Sequence, residues 1–181
     1  MNAEIVVFTD GACRGNPGPG GWGWAVASGG TDLGLDGAVC SGAEAASTNQ
    51  RMEVWAVFDA LTTLLAATDG PVAVVSDSTY VVNCFRDGWW RGWEKRGWKN
   101  SQKQPVANQD LWRPLVELYK GDARRIRFQW VKGHSGNPMN DRVDELAVAA
   151  AATQSPRKQV GGPVAAAAQA EVIDADQGSL F

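Results

Sequence analysis

Two aspartates stand where short apolar runs end: Asp10 after Ile5-Val6-Val7-Phe8-Thr9, and Asp77 after Val72-Ala73-Val74-Val75-Ser76. A carboxylate at the end of a buried strand loses solvation, and a bound cation would compensate. Glu53 falls on the second turn of a long helical stretch, beside its apolar stripe. Asp144 and Glu145 lie on the last helical stretch, with Asp141 one turn earlier. The chain has a single histidine, His134, and three widely separated cysteines, Cys13, Cys40 and Cys84, which excludes a His-cluster or zinc-knuckle site. Acids at element ends in such a chain suggest an oxygen-ligand site, and oxygen-only ligation favours Mg²⁺ or Mn²⁺. Two such ions bridging carboxylates suit in-line attack of water on a phosphodiester.

Two other signals need weighing. Gly18, Gly20 and Gly23 spell G-x-G-x-x-G, but a dinucleotide loop needs a strand before it and a helix after it. Here Pro17 and Pro19 lie within or beside the motif and the strand-like Trp22–Ala27 follows, so a hairpin connection is the better reading. A lone histidine is usually structural. His134, however, sits in the turn-rich run Lys132-Gly133-His134-Ser135-Gly136-Asn137-Pro138, which reads as a surface loop.

The elements that must position these groups follow from periodicity. Glu4–Thr9, Trp22–Ala27 and Leu33–Cys40 read as an antiparallel meander of three strands. Ser47 with Gln50 fits a capping box, and Val54, Val57, Phe58, Leu61, Leu64 and Leu65 recur at helical spacing, giving a long helix over about 48–68. A strand over 72–76, helices over 78–86 and 110–119, a strand over 126–131 and a helix over 138–152 complete the pattern. The order predicts an α/β fold with a five-stranded mixed sheet, three strands antiparallel and then parallel ones, flanked by helices.

Net charge over 181 residues is −3, which by itself argues against a nucleic-acid partner. Its distribution reverses that: between Arg86 and Lys103 six basic residues (Arg86, Arg91, Lys95, Arg96, Lys99, Lys103) face two acidic ones, on an otherwise acidic body. No run is long and apolar enough for a membrane span, and no signal peptide is evident. The spread cysteines suit a reducing, cytoplasmic setting. From about Thr153 the composition turns to Ala, Gln, Gly and Pro, expected to form a flexible tail over 153–181 behind one domain over 1–152.

Five blocks carry a family likeness: Phe8-Thr9-Asp10-Gly11; Gly15-Asn16-Pro17-Gly18-Pro19-Gly20-Gly21; Thr48-Asn49-Gln50-Arg51-Met52-Glu53; Ser76-Asp77-Ser78 with Tyr80; and Trp130-Val131-Lys132-Gly133-His134 followed by Asp144-Glu145-Leu146-Ala147. In order and spacing, over about residues 4–152, they resemble the type 1 ribonuclease H family. The resemblance implies a ribonuclease H-like fold and hydrolysis of the RNA strand of RNA–DNA hybrids, leaving 5′-phosphate and 3′-hydroxyl ends. It implies that Asp10, Glu53, Asp77 and Asp144, not Asp141 or Glu145, hold two Mg²⁺ ions, for which Mn²⁺ can substitute, and that His134 moves protons or assists product departure. It further implies that Cys13, Asn16, Asn49, Gln50 and Glu53 touch the RNA strand, Thr48 a DNA phosphate, and Trp89 the DNA strand.

Residues 86–108 correspond to the family's basic protrusion. Four of the nine tryptophans cluster there, Trp89, Trp90, Trp93 and Trp98, of which the last three are expected to pack the protruding helix onto the body. Thr79 stands where the family often has glutamine, which puts one minor-groove contact in question. The C-terminal Gln177-Gly178-Ser179-Leu180-Phe181 resembles peptides by which bacterial replication proteins dock on the sliding clamp, with Gln177, Leu180 and Phe181 as its anchors. A monomer is expected. The competing readings are a catalytically idle hybrid-binding or clamp-recruited module, and an integrase or resolvase of related fold. The acid quartet argues against the first, and the 48–53 block with the tryptophan-rich protrusion against the second.

Overall fold

The computed structural model describes residues 3–162, so the anchors Gln177, Leu180 and Phe181 lie outside the described residues. The strands are β1 (Ile5–Cys13), β2 (Gly18–Ser28), β3 (Val39–Ser47), β4 (Val72–Ser76), β5 (Ile126–Trp130) and β6 (Lys158–Val160). They form one sheet in the order β5-β4-β1-β2-β3-β6. β1–β3 pair antiparallel, β4 and β5 run parallel to β1, and β6 returns antiparallel to β3. The helices are α1 (Asn49–Ala67), α2 (Thr79–Arg86), α3 (Trp89–Lys95), α4 (Gln109–Asp122) and α5 (Pro138–Thr153).

Alternation along β1 decides what each face of the sheet meets. Ile5 and Val7 join Trp24, Val74 and the buried face of α1 in the larger core, which continues into α2 and α4. Phe8 joins Ala25, Val75 and Val143 of α5 on the other face. α5 can lie flat on β2 because Gly21 has no side chain: a Cβ there would overlap the Ala147 carbonyl oxygen and the Ala151 amide nitrogen. Close helix approach, not a pyrophosphate, is what this part of the G-x-G-x-x-G run provides.

The sheet has six strands instead of the expected five. The added strand, β6, is held by a charged anchor: Arg157 Nε donates to Asp59 Oδ2 at 2.8 Å and Arg157 Nη2 to Asp59 Oδ1 at 3.1 Å. Asp59 Oδ1 also accepts from the indole N–H of fully buried Trp24 at 2.8 Å. Asp59→Ala would strand that N–H and remove the carboxylate that Arg157 Nε and Nη2 grip, a cost of about 2–3 kcal/mol. Thermal unfolding should show the midpoint lowered by roughly 5–10 °C.

Two local readings also change. The third strand begins at Val39, because 31–33 form a short 3₁₀ turn and Leu35 and Ala38 are buried from a loop. The cap of α1 is Thr48, whose Oγ1 accepts from Arg51 N at 3.1 Å, and not Ser47.

Candidate active site

Strand register alone brings the first two acids together. Thr9 pairs with Ser76 across the parallel β1–β4 ladder, so Asp10 and Asp77 follow side by side where β4 ends. Glu53 reaches them from the second turn of α1. That turn presses on β1 so closely that a Cβ on Gly11 would overlap the Glu53 amide nitrogen and the Met52 carbonyl carbon. Carboxylate oxygens of Asp10, Glu53 and Asp77 all lie within 4.8 Å of one another. Asp144, half-buried on α5, stands outside that trio, yet near enough for its charge to raise the pKa of Asp10.

Burial makes this cluster electrostatically costly. Asp10 is 4% exposed, and its pKa is pushed up to about 7, first by burial and then by the charges of Asp77 and Asp144, against the hydrogen bond it shares with Glu53. Burial and the neighbouring Asp10 charge hold Glu53 well above the usual carboxylate range. Glu53 Oε2 is buried with no hydrogen-bond partner, an acceptor left without a donor. Three converging carboxylates, one with an orphaned oxygen, and no thiolate or imidazole among them fit a hard divalent cation.

Asp77 is fixed from three sides. Trp130 Nε1 donates to its main-chain carbonyl at 3.1 Å, Asn140 Nδ2 donates to its Oδ2 at 3.3 Å, and the 131–137 loop passes so near that a Cβ on Gly133 would lie 2.7 Å from Oδ2. His134 is exposed on that loop, next to Gly133, in the left-handed region at φ 53°. Trp130 enters the sequence reading only as part of a family block with no role of its own, and Asn140 does not enter it at all. Asn140 did leave a trace, as a polar residue in the buried stripe Asn140, Val143, Ala147, Ala150 of α5.

The remaining sequence-predicted contacts group around the N-terminus of α1. Asn16 Oδ1 accepts from the backbone N–H of Asn49 at 3.2 Å, joining the β1–β2 loop to the helix start. Asn16, Asn49 and Gln50 are exposed there, Cys13 is half-buried at the end of β1, and the Thr48 hydroxyl is engaged as the cap. Trp89, 38% exposed, opens α3, with its ring 6.5 Å from that of Tyr80. Trp90 and Trp98 are buried, and Trp93 packs between Trp98 and Trp112 at 6.0 and 5.4 Å, so these three bind the protrusion to α4. All six basic side chains from Arg86 to Lys103 are exposed.

Comparison with known proteins agrees with this geometry. The RNase H family model matches residues 2–152. Ribonuclease H of Moorella thermoacetica is 50% identical over 151 residues, covering 82% of this chain and 92% of the relative. Ribonuclease H of Syntrophomonas wolfei is 48% identical over 144 residues, covering 80% and 93%. Among solved structures, LC9-RNase H1, described as a type 1 RNase H with the type 2 active-site motif, superposes with a TM-score of 0.73 at 29% identity, covering 88% of this chain and 79% of that one. The matched span contains the acid cluster and the strands that create it, and the chain belongs to the ribonuclease H family, type 1, as a metal-dependent phosphodiester hydrolase.

Proposed function

We propose that the protein cuts the RNA strand of RNA–DNA hybrids, and that Asp10, Glu53, Asp77 and Asp144 hold two Mg²⁺ ions, replaceable by Mn²⁺. The observation that carries this reading is the close trio, with Asp10 buried and the Glu53 oxygen orphaned. The ions would supply activation of the attacking water and neutralisation of charge on the leaving 3′ oxygen. The chain's own part is to hold the ligands before metal arrives: β1 and β4 fix Asp10 and Asp77 in register, and α1 fixes Glu53. His134, on its exposed loop, takes or delivers a proton as product leaves, a role suited to an imidazole.

The groups around Asn16, Asn49 and Gln50 adjoin Glu53 on α1. Their amides both donate to and accept from a 2′-hydroxyl, the feature that separates the RNA strand from the DNA strand. Cys13 borders the same surface. Thr48 offers a DNA phosphate the positive end of α1, and Trp89 offers the DNA strand an exposed ring. Thr79, exposed at the start of α2, is too short for the contact that a glutamine would make there.

The test is cleavage of hybrids labelled on either strand, with and without Mg²⁺, beside duplex RNA and duplex DNA. We expect Mg²⁺-dependent cuts in the RNA strand of the hybrid alone, with 5′-phosphate and 3′-hydroxyl ends. Cleavage of the DNA strand, or undiminished cleavage in EDTA, would refute the reading.

Among the described residues no helix is long and apolar enough to cross a membrane, and the three cysteines are free thiols. They suit work as a monomer in a reducing cytoplasm. The expected boundary at 152 with a flexible tail over 153–181 does not hold for the first part of that stretch, because β6 (Lys158–Val160) belongs to the sheet. We also propose that Gln177, Leu180 and Phe181 recruit the enzyme to a bacterial sliding clamp. Deleting 177–181 should abolish clamp binding and leave hybrid cleavage in solution unchanged; undiminished clamp binding sinks this assignment.

A further inference from the structure

Asn140 is 2% exposed, yet it carries an amide in the apolar stripe of α5. Its surroundings explain one half of that amide. The Asp77 carboxylate only accepts hydrogen bonds when ionised, so the Nδ2 group must face it, and does so at 3.3 Å from Oδ2. The other half is unexplained, because Asn140 Oδ1 is buried with no partner. A buried acceptor left unsatisfied is destabilising, a cost that an alanine at this helix position would avoid.

We propose that Asn140 is a positioning residue for metal binding: its Nδ2 orients the Asp77 carboxylate, and its Oδ1 is reserved for a donor that arrives with the cation, a water molecule. The inference rests on the metal-site reading above. Three placements support it. Asn140 lies one turn before Asp144 on the same helix, so its bond to Asp77 ties α5, and with it Asp144, to the end of β4. The amide's Nδ2 touches Asp77, a member of the carboxylate cluster, and the orphaned oxygen is on the same amide, two bonds from that contact. Asn137 caps α5 by accepting from Met139 N and Asn140 N at 3.1 Å each, so the helix start does not need the Asn140 side chain. Residues that orient a metal ligand from behind commonly change metal affinity 10–100-fold when removed.

The test is calorimetric titration of MgCl₂ into the full chain without substrate, for wild type, Asn140→Ala, Asn140→Ser and Asp77→Asn. We expect Asn140→Ala to weaken Mg²⁺ binding about tenfold or more, and to raise the Mg²⁺ concentration for half-maximal cleavage by the same factor. Its unfolding midpoint in EDTA should stay within a few degrees of wild type. Asn140→Ser, whose hydroxyl is too short to reach Asp77, should show the same loss, and it carries the test if the alanine variant does not fold. Wild-type Mg²⁺ affinity in folded Asn140 variants, with loss in Asp77→Asn, overturns this inference alone. Wild-type affinity in Asp77→Asn overturns the metal assignment, and this inference with it.

Discussion

Asp10→Asn should abolish Mg²⁺-dependent cleavage while making the metal-free protein more stable. The loss follows from the proposed metal site: Asn keeps the shape but not the charge that would hold a divalent cation together with Glu53 and Asp77. Metal-ion stabilisation of a phosphoryl transition state is worth several kcal/mol; losing about 4 kcal/mol of it lowers the rate by roughly 10³. The gain in stability follows from the same charge. Asp10 is almost wholly buried, and its pKa stands at about 7 instead of 3.8, with burial the leading cause. Between those pH values the folded chain holds a proton that the unfolded chain has released. Metal-free stability is therefore greatest at or below pH 3.8 for this group and is lost as pH rises towards 7. At about 1.4 kcal/mol per pKa unit, the site contributes a destabilisation on the order of 4 kcal/mol at neutral pH, most of which a neutral Asn removes. Thermal unfolding in EDTA at pH 5 and pH 8 should show the wild type losing midpoint between the two and Asp10→Asn losing less. Added Mg²⁺ should stabilise the wild type and not the variant. Equal midpoints at pH 8, or cleavage within tenfold of wild type, would contradict this account.

The same buried charge explains why the site was legible in the sequence. Ile5–Thr9 and Val72–Ser76 are apolar runs that can only be strands inside a core, and an aspartate after each is conspicuous. Nothing in the spacing says that Thr9 stands opposite Ser76; that register is a property of the sheet. β3 was misplaced because the apolar residues near it, Leu35 and Ala38, are buried from a loop. The strand itself reads Val-Cys-Ser-Gly-Ala-Glu-Ala-Ala-Ser, poor in β-branched and aromatic residues. Its Gly42 makes room for the Trp22 ring, which is packing information and leaves no periodic trace. β6 was missed for a similar reason. Three residues carry no pattern, and what fixes them is Arg157 meeting Asp59 across 98 positions of chain. Family likeness selected Asp144 among the last-helix acids, while the structure keeps it outside the close trio and near Asp10. Asn140 was overlooked because a single polar residue in a helix stripe passes for noise until its partner is seen.

Neutralising Lys95, Lys99 and Lys103 together should weaken hybrid binding on the order of 10²-fold at 0.1 M salt, leaving turnover at saturating substrate near wild type. The three lysines are exposed, and among the described residues their side chains make no hydrogen bond or ion pair. That sets them apart from Arg91, whose guanidinium lies 4.9 Å from the Trp90 ring centroid, and from Arg96, whose Nε donates to the Lys99 carbonyl at 3.0 Å. Charge removal at the lysines therefore tests electrostatics without loosening the protrusion. The aromatic packing of Trp90, Trp93 and Trp98 against α4 ties the segment to the body, so the lysine substitutions leave what holds it in place untouched. Each phosphate contact releases about 0.9 of a counterion from a duplex, so losing three lowers the steepness of log affinity against log salt by roughly 2–3. The effect should vanish towards 1 M salt, where wild type and variant converge. Because phosphate contacts carry no sequence information, the loss should be uniform across hybrids of different sequence. Arg124→Gln is the control: it is exposed before β5, at the end of the sheet remote from Asp77, and should leave both affinity and salt slope unchanged. Hybrid-cleavage KM and binding isotherms from 0.05 to 0.5 M salt measure both quantities. An unchanged slope in the triple-lysine variant would mean that the basic protrusion does not bear on the phosphates, and that affinity must come from the groups around the α1 N-terminus instead.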